Sequence, residues 1–360
     1  MKLYKHWQLT LTILGVLFLT VALPARGEEE LDRKFFVLKD PRGKVICRTA
    51  HRVVAGDRYL NSENQLYEVT KTSGTEAFVK PVRESRPKRS SLVSQVRTGL
   101  LDLFRAEADR KARGPIGIYH THTAEAYLPS EGVNSKQERG GIVAVGDAIT
   151  KTLEENGIPV IHSKTSHVPQ DAMAYDRSRR TAARLLKEQP PVLLDVHRDA
   201  VPREEYLTMI DNKPTAKIQF VVGRENPNFQ ANNEFAKRVK QAVDRKYPGL
   251  VKGIFYGKGK YNQDMGPSAM LLECGTNTNS QAEAIRGGQL FAAAAKDVLY
   301  GGGTGNQATN RGSWRSIFII LAALAGGIGI FFALNRRGVG SLAREFTGND
   351  QGGDQDQDNG

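Results

Sequence analysis

Cysteine is scarce: the chain has 360 residues and two cysteines, Cys47 and Cys274. That excludes a disulfide-built scaffold and any zinc finger made from several cysteines. Acid is in deficit too, with 39 Asp and Glu against 51 Lys and Arg, a net charge of +12. The balance points to acidic partners such as nucleic acid, anionic lipid or an anionic cell wall, without choosing among them. No internal repeat is found. Apolar material, by contrast, is plentiful, at 39% of residues with 14 Phe. This excludes a disordered chain and leaves enough for a core, and the length suggests two domains.

Charge is missing altogether from two stretches, residues 9–23 and 317–334. The first follows Lys2 and Lys5 and ends at Pro24-Ala25-Arg26, so residues 1–27 read as a signal peptide or an N-terminal anchor. The second has the length of a bilayer crossing and reads as a transmembrane helix, with Trp314 before it and Arg336 and Arg337 after it. Together they predict a cell-membrane protein with an extracytoplasmic body and a cytoplasmic C-terminus. Residues 301–316 are a Gly-rich tether, and 335–360 a cytoplasmic, acidic, disordered tail.

Between these segments, 28–82 holds short β-prone runs separated by turn formers such as Asp40-Pro41-Arg42-Gly43, which predicts a small β-rich module. Residues 83–113 are basic and read as a linker with an amphipathic helix. From 114 to 300 strands alternate with helices: strands at 116–119, 158–161, 191–196, 217–222, 251–256 and 269–272, helices at 142–156, 176–188, 226–247 and 281–299. The alternation predicts an α/β domain with a mostly parallel sheet and flanking helices.

Chemistry gathers at three predicted strand ends. His120-Thr121-His122 follows the first strand, with Glu125 three residues on. If the extended conformation persists, both imidazoles aim one way, and His-x-His at a strand end is a common metal-binding device. The strand 191–196 runs into His197, flanked by Asp195 and Asp199, at the carboxyl end where open α/β sheets bind ligands. The third strand leads to Glu273-Cys274-Gly275-Thr276-Asn277. A carboxylate there is either tied to an arginine or poised beside a metal to work as a base. His51 lies far from these residues in sequence, His162 reads as structural, His167 as a loop residue and Cys274 as packing.

The segment Ile118-Tyr119-His120-Thr121-His122-Thr123-Ala124-Glu125-Ala126-Tyr127-Leu128-Pro129 resembles the signature of the stage II sporulation protein P family. Leu194-Asp195-Val196-His197-Arg198-Asp199 and Leu272-Glu273-Cys274-Gly275-Thr276-Asn277 resemble its other two blocks. The family is similar to zinc-dependent N-acetylmuramoyl-L-alanine amidases. The resemblance implies cleavage of the muramyl–L-Ala amide, and of peptide cross-links, during sporulation engulfment. It also implies action with stage II sporulation proteins D and M on peptidoglycan, not on nucleic acid. By the same resemblance His120 and His197 are zinc ligands and Glu273 is the catalytic carboxylate. His122, Glu125 and Glu138 compete as third ligand. Arg198 and Asn277 are candidate substrate contacts. The rival readings are a zinc hydrolase of another amide and a membrane-held scaffold without activity. The sequence leaves open whether Cys47 and Cys274 pair.

Overall fold

In a computed structural model of the chain, residues 34–82, 114–171 and 173–301 are described. They all lie within one unit, Met1–Gly303. The order of elements follows the apolar runs closely. An N-terminal set of strands, β1 (Phe36–Lys39), β2 (Val45–Thr49), β3 (Arg58–Asn61), β4 (Leu66–Ser73) and β5 (Glu76–Val82), is joined by short turns and, between β2 and β3, by an eight-residue loop. Then come β6 (Ile116–Tyr119), the single turn α1 (Leu128–Glu131), α2 (Ile142–Glu155), β7 (Val160–His162), α3 (Ala174–Leu186) and β8 (Leu193–Asp199). A hairpin of β9 (Leu207–Ile210) and β10 (Lys213–Ala216) precedes β11 (Ile218–Gly223) and α4 (Phe229–Lys246). The chain continues through β12 (Val251–Gly257) and β13 (Ala269–Thr276) into α5 (Gln281–Gly301).

All strands but the β9–β10 hairpin form a single eleven-stranded sheet, in the order β2-β1-β5-β4-β3-β12-β11-β13-β8-β6-β7. The sheet is mixed, which corrects the expectation of a mostly parallel one. β13, β8, β6 and β7 run parallel, and so do β11 and β12, but β11 meets β13 antiparallel. The cause is the connection between β8 and β11. A parallel return needs a long crossover, usually a helix. The intervening segment instead holds a 3-10 turn and a hairpin, whose Asp211 and Asn212 both take positive φ (49° and 56°), as a tight two-residue hairpin turn requires.

Nor do the N-terminal strands stand apart, since β3 pairs antiparallel with β12 and extends the same sheet. Of the membrane expectation, no helix among the described residues is long and apolar enough to cross a bilayer. The expected signal or anchor, the basic linker with its helix, the tether, the run 317–334 and the acidic tail lie outside the described residues. The structure therefore gives no basis for the predicted membrane placement.

Side-chain alternation divides the sheet cleanly. One face carries Ile116 and Ile118 of β6, Leu194 and Val196 of β8, and Met270, Leu272 and Cys274 of β13, buried beneath α2, α4 and α5. The other face carries Leu271 with Val221 and Phe255, in one apolar cluster with Leu38, Tyr59, Val69 and Val79 of the N-terminal strands. Asp195, His197 and Glu273 are each an odd step from these helix-facing positions, so they belong to this second face.

Candidate active site

Because β13, β8 and β6 are parallel neighbours, their carboxyl ends share one edge of the sheet. β8 and β13 pair in register with His197 opposite Glu273, which puts both side chains on the same face. The segment after β6 turns sharply instead of staying extended. That turn separates His120 from His122. Among the described residues one group of donors converges on a point: His122, Glu125 and His197, all buried, with ligand atoms within 4.8 Å of one another.

Glu125 is the centre of this group. Its Oε1 lies 3.2 Å from Nδ1 of His122 and 3.4 Å from Nδ1 of His197. Its Oε2 accepts the backbone N–H of Arg198 at 2.8 Å. Burial works against ionisation here, yet facing His197, His122 and Arg198 hold the Glu125 carboxyl well below the usual carboxylate range. Gly140 packs directly on the carbonyl of Glu125, where a Cβ would stand 1.9 Å from the oxygen. The glycine is needed for that close approach. Ala126 and Lys136 bond back across the loop, to Asn134 and Ala124.

His197 is oriented from behind. Its Nε2 lies 2.9 Å from Oδ1 of Asp195, off the line of a well-aligned hydrogen bond. Asp195 is itself fixed by the N–H of Thr121 at 2.8 Å and the hydroxyl of Thr121 at 2.6 Å. Burial would lower the His197 pKa, but Asp195 and Glu125 overcome it and raise the pKa well above its ordinary value. Two buried carboxylates around one imidazole make a place for a cation. The ring of Tyr175 closes the group, edge-on to His122 at 5.7 Å and stacked on His197 at 6.4 Å.

His120 lies elsewhere. Its Nδ1 donates to the carbonyl of Val196 at 2.7 Å, so its Nε2 is the acceptor facing Nε2 of His162 at 2.8 Å. Gly146 of α2 leaves room for that pair, since a Cβ there would stand 2.6 Å from one imidazole nitrogen and 2.7 Å from the other. Burial, then the charge of His162, lowers the His120 pKa to about 3. His167 holds the same turn, donating from Nδ1 to the carbonyl of His120 at 2.7 Å and accepting from Thr181 at Nε2. Glu138, the other contender for third ligand, is exposed.

Glu273 is 2% exposed. Among the described residues no arginine pairs with it. Its Oε1 lies 2.7 Å from Nε2 of His51, and its Oε2 is buried without a hydrogen-bond partner among the described residues. The guanidinium of Arg198 is turned to the carbonyls of Ala126 and Asn134. Asn277 donates from its side chain to Asn134 at 3.0 Å and is half-buried at the rim. The two cysteines are free and buried, and burial pushes the Cys47 thiol up to about 11.

The chain matches the stage II sporulation protein P family over residues 50–296, well over half its length. It belongs to that family. The match takes in all three strand ends and begins just ahead of His51. Stage II sporulation protein P of Bacillus subtilis (strain 168) is 32% identical over 201 residues. That stretch is 51% of this chain and 49% of the relative, so the chain spans about half the length of its curated relative. Among solved structures, CwlD amidase from Clostridioides difficile, in complex with the GerS lipoprotein, matches 52% of this chain and 98% of its own. The identity is 13% and the TM-score 0.37. The catalytic domain of CwlV, an N-acetylmuramoyl-L-alanine amidase from Bacillus (Paenibacillus) polymyxa var. colistinus, matches 52% and 95%. Its identity is 14% and its TM-score 0.35.

Proposed function

We propose that the chain is a zinc-dependent peptidoglycan hydrolase that cuts the N-acetylmuramoyl-L-alanine amide during sporulation engulfment. Peptide cross-links are a second substrate, and stage II sporulation proteins D and M are partners. Family membership supports the setting. The observation that carries the chemistry is the buried pair of imidazoles and one carboxylate, with an unpartnered carboxylate oxygen on the adjacent strand. Two His and one Glu suit a catalytic zinc ion that keeps a position open. When bound, such an ion would polarise the amide carbonyl and lower the pKa of water.

His122, Glu125 and His197 would hold the ion, with Asp195 and the Arg198 N–H fixing two of those ligands from behind. Glu273 takes the proton of the attacking water at Oε2. A C–O bond forms, the C–N bond breaks, and Glu273 returns the proton to the departing amine of L-Ala. Asn277 is the contact for the stem peptide at the rim. Arg198 serves by bracing the loop that carries Glu125.

Mass spectrometry of peptidoglycan incubated with the full-length chain tests this reading, with Glu273→Gln as control. Free stem peptides from the wild type alone are expected. Intact wall from a zinc-loaded wild type would transfer the chemistry to another amide, and intact wall with no zinc would favour the scaffold.

A further inference from the structure

His51 comes from the turn after β2, 222 residues before the carboxylate it faces. The N-terminal strands are tied to the catalytic strands around it. The N–H of Ala50 donates to Oδ1 of Asp199, at the end of β8, at 2.8 Å. The carbonyl of Arg48 accepts from Nζ of Lys252 at 2.6 Å, and the Arg48 side chain pairs with Glu205. The His51 ring lies stacked on Phe255 at 5.6 Å, with Tyr261 edge-on at 6.1 Å. Its plane and height are thus fixed by packing, and Nε2 is delivered to Oε1 of Glu273 at 2.7 Å.

We propose that His51 is a positioning residue for Glu273, so that the N-terminal strands complete the hydrolytic site. The inference rests on the amidase reading and deepens it. A carboxylate with two free oxygens rotates. One oxygen fixed by a donor leaves the other aimed, and here the other oxygen, Oε2, is the buried one without a partner. An arginine in the same place would hold the carboxyl with a fixed full charge and depress its basicity. An imidazole N–H anchors the group without that permanent charge. Misplacement of a catalytic group by about 1 Å can cost on the order of 10²-fold in rate.

Two substitutions separate anchoring from mere packing. His51→Phe keeps the ring against Phe255 and removes the donor. His51→Gln loses the ring and keeps an N–H at similar reach. With full-length protein and soluble muropeptide chains, H51F is expected to lose about 100-fold in kcat with KM little changed, while H51Q stays within about 10-fold of wild type. A simple packing role predicts the opposite order, so H51F equal to or better than H51Q overturns the inference. Should H51F not fold, His51→Asn, a methylene shorter than Gln, takes its place. Its kcat must fall well below that of H51Q, and equal rates refute the anchor. A wild type that releases no stem peptide sinks the amidase reading instead, which keeps the two failures apart.

Discussion

Asp199 is the joint between the N-terminal strands and the catalytic ones, and its removal has a calculable cost. The side chain is 2% exposed and accepts three hydrogen bonds. Oδ1 takes the N–H of Ala50 and of Ala200, both at 2.8 Å, and Oδ2 takes the hydroxyl of Tyr206 at 2.9 Å. Ala50 and Tyr206 are fully buried, so truncation to Ala leaves two buried donors without their acceptor. At about 1–3 kcal/mol for each orphaned group, Asp199→Ala should lose about 2–6 kcal/mol, a large part of a typical domain's stability. Asp199→Asn keeps one acceptor for the backbone, and its amide can donate to the Tyr206 oxygen, so its loss should be about 1 kcal/mol. Urea unfolding of both variants measures this through the midpoint, with the slope unchanged. A midpoint for Asp199→Ala within about 0.5 kcal/mol of wild type would mean that the Ala50 and Tyr206 donors find other partners and that the joint is not where we put it.

Other consequences are as direct. Ser280 and Glu283 form a reciprocal cap at the start of α5, each side chain accepting the other's N–H at 3.2 and 3.1 Å, so Ser280→Ala should cost about 1 kcal/mol in a urea titration. Burial alone would raise the Glu283 pKa, but Arg203, Asn279 and the Ser280 N–H lower it. Its stabilising effect is therefore present above the unfolded value of about 4.3 and fades as pH falls through the lower folded value. Glu283→Gln should be less stable than wild type at pH 7 and the gap should close below about pH 4; a gap that widens in acid would reverse the assignment. Gly146→Ala must separate His120 from His162, so despite the better helix former it should lower stability by about 1–2 kcal/mol, read by calorimetry. A more stable variant would show that the pair does not pack on α2.

The strands that carry the site were legible because each is a short apolar run ending in a polar residue that burial alone would not select. β6 and β12 fall within a residue of their expected limits, and Glu273 sits on β13 where the run ends. Strand direction was not legible. Strands buried on both faces are continuous apolar runs whichever way they lie, so β11 and β13 gave no sign of their antiparallel pairing. The hairpin that reverses the chain was hidden in Asp211-Asn212, a turn pair without the usual glycine. His120 and His122 could not be told apart by spacing, since the two-residue rule holds only while the chain stays extended. His51 left no local signal at all, because the contact that matters is made by the fold.

On the function proposed above, His122, Glu125 and His197 would hold the metal ion, and His120 would not. Zinc content of the full-length chain tests it most directly, compared among wild type, His122→Ala and His120→Asn, the last keeping a donor for the carbonyl of Val196. One zinc per wild-type chain is expected, none in His122→Ala, and one retained in His120→Asn. Zinc kept by His122→Ala and lost from His120→Asn would contradict it.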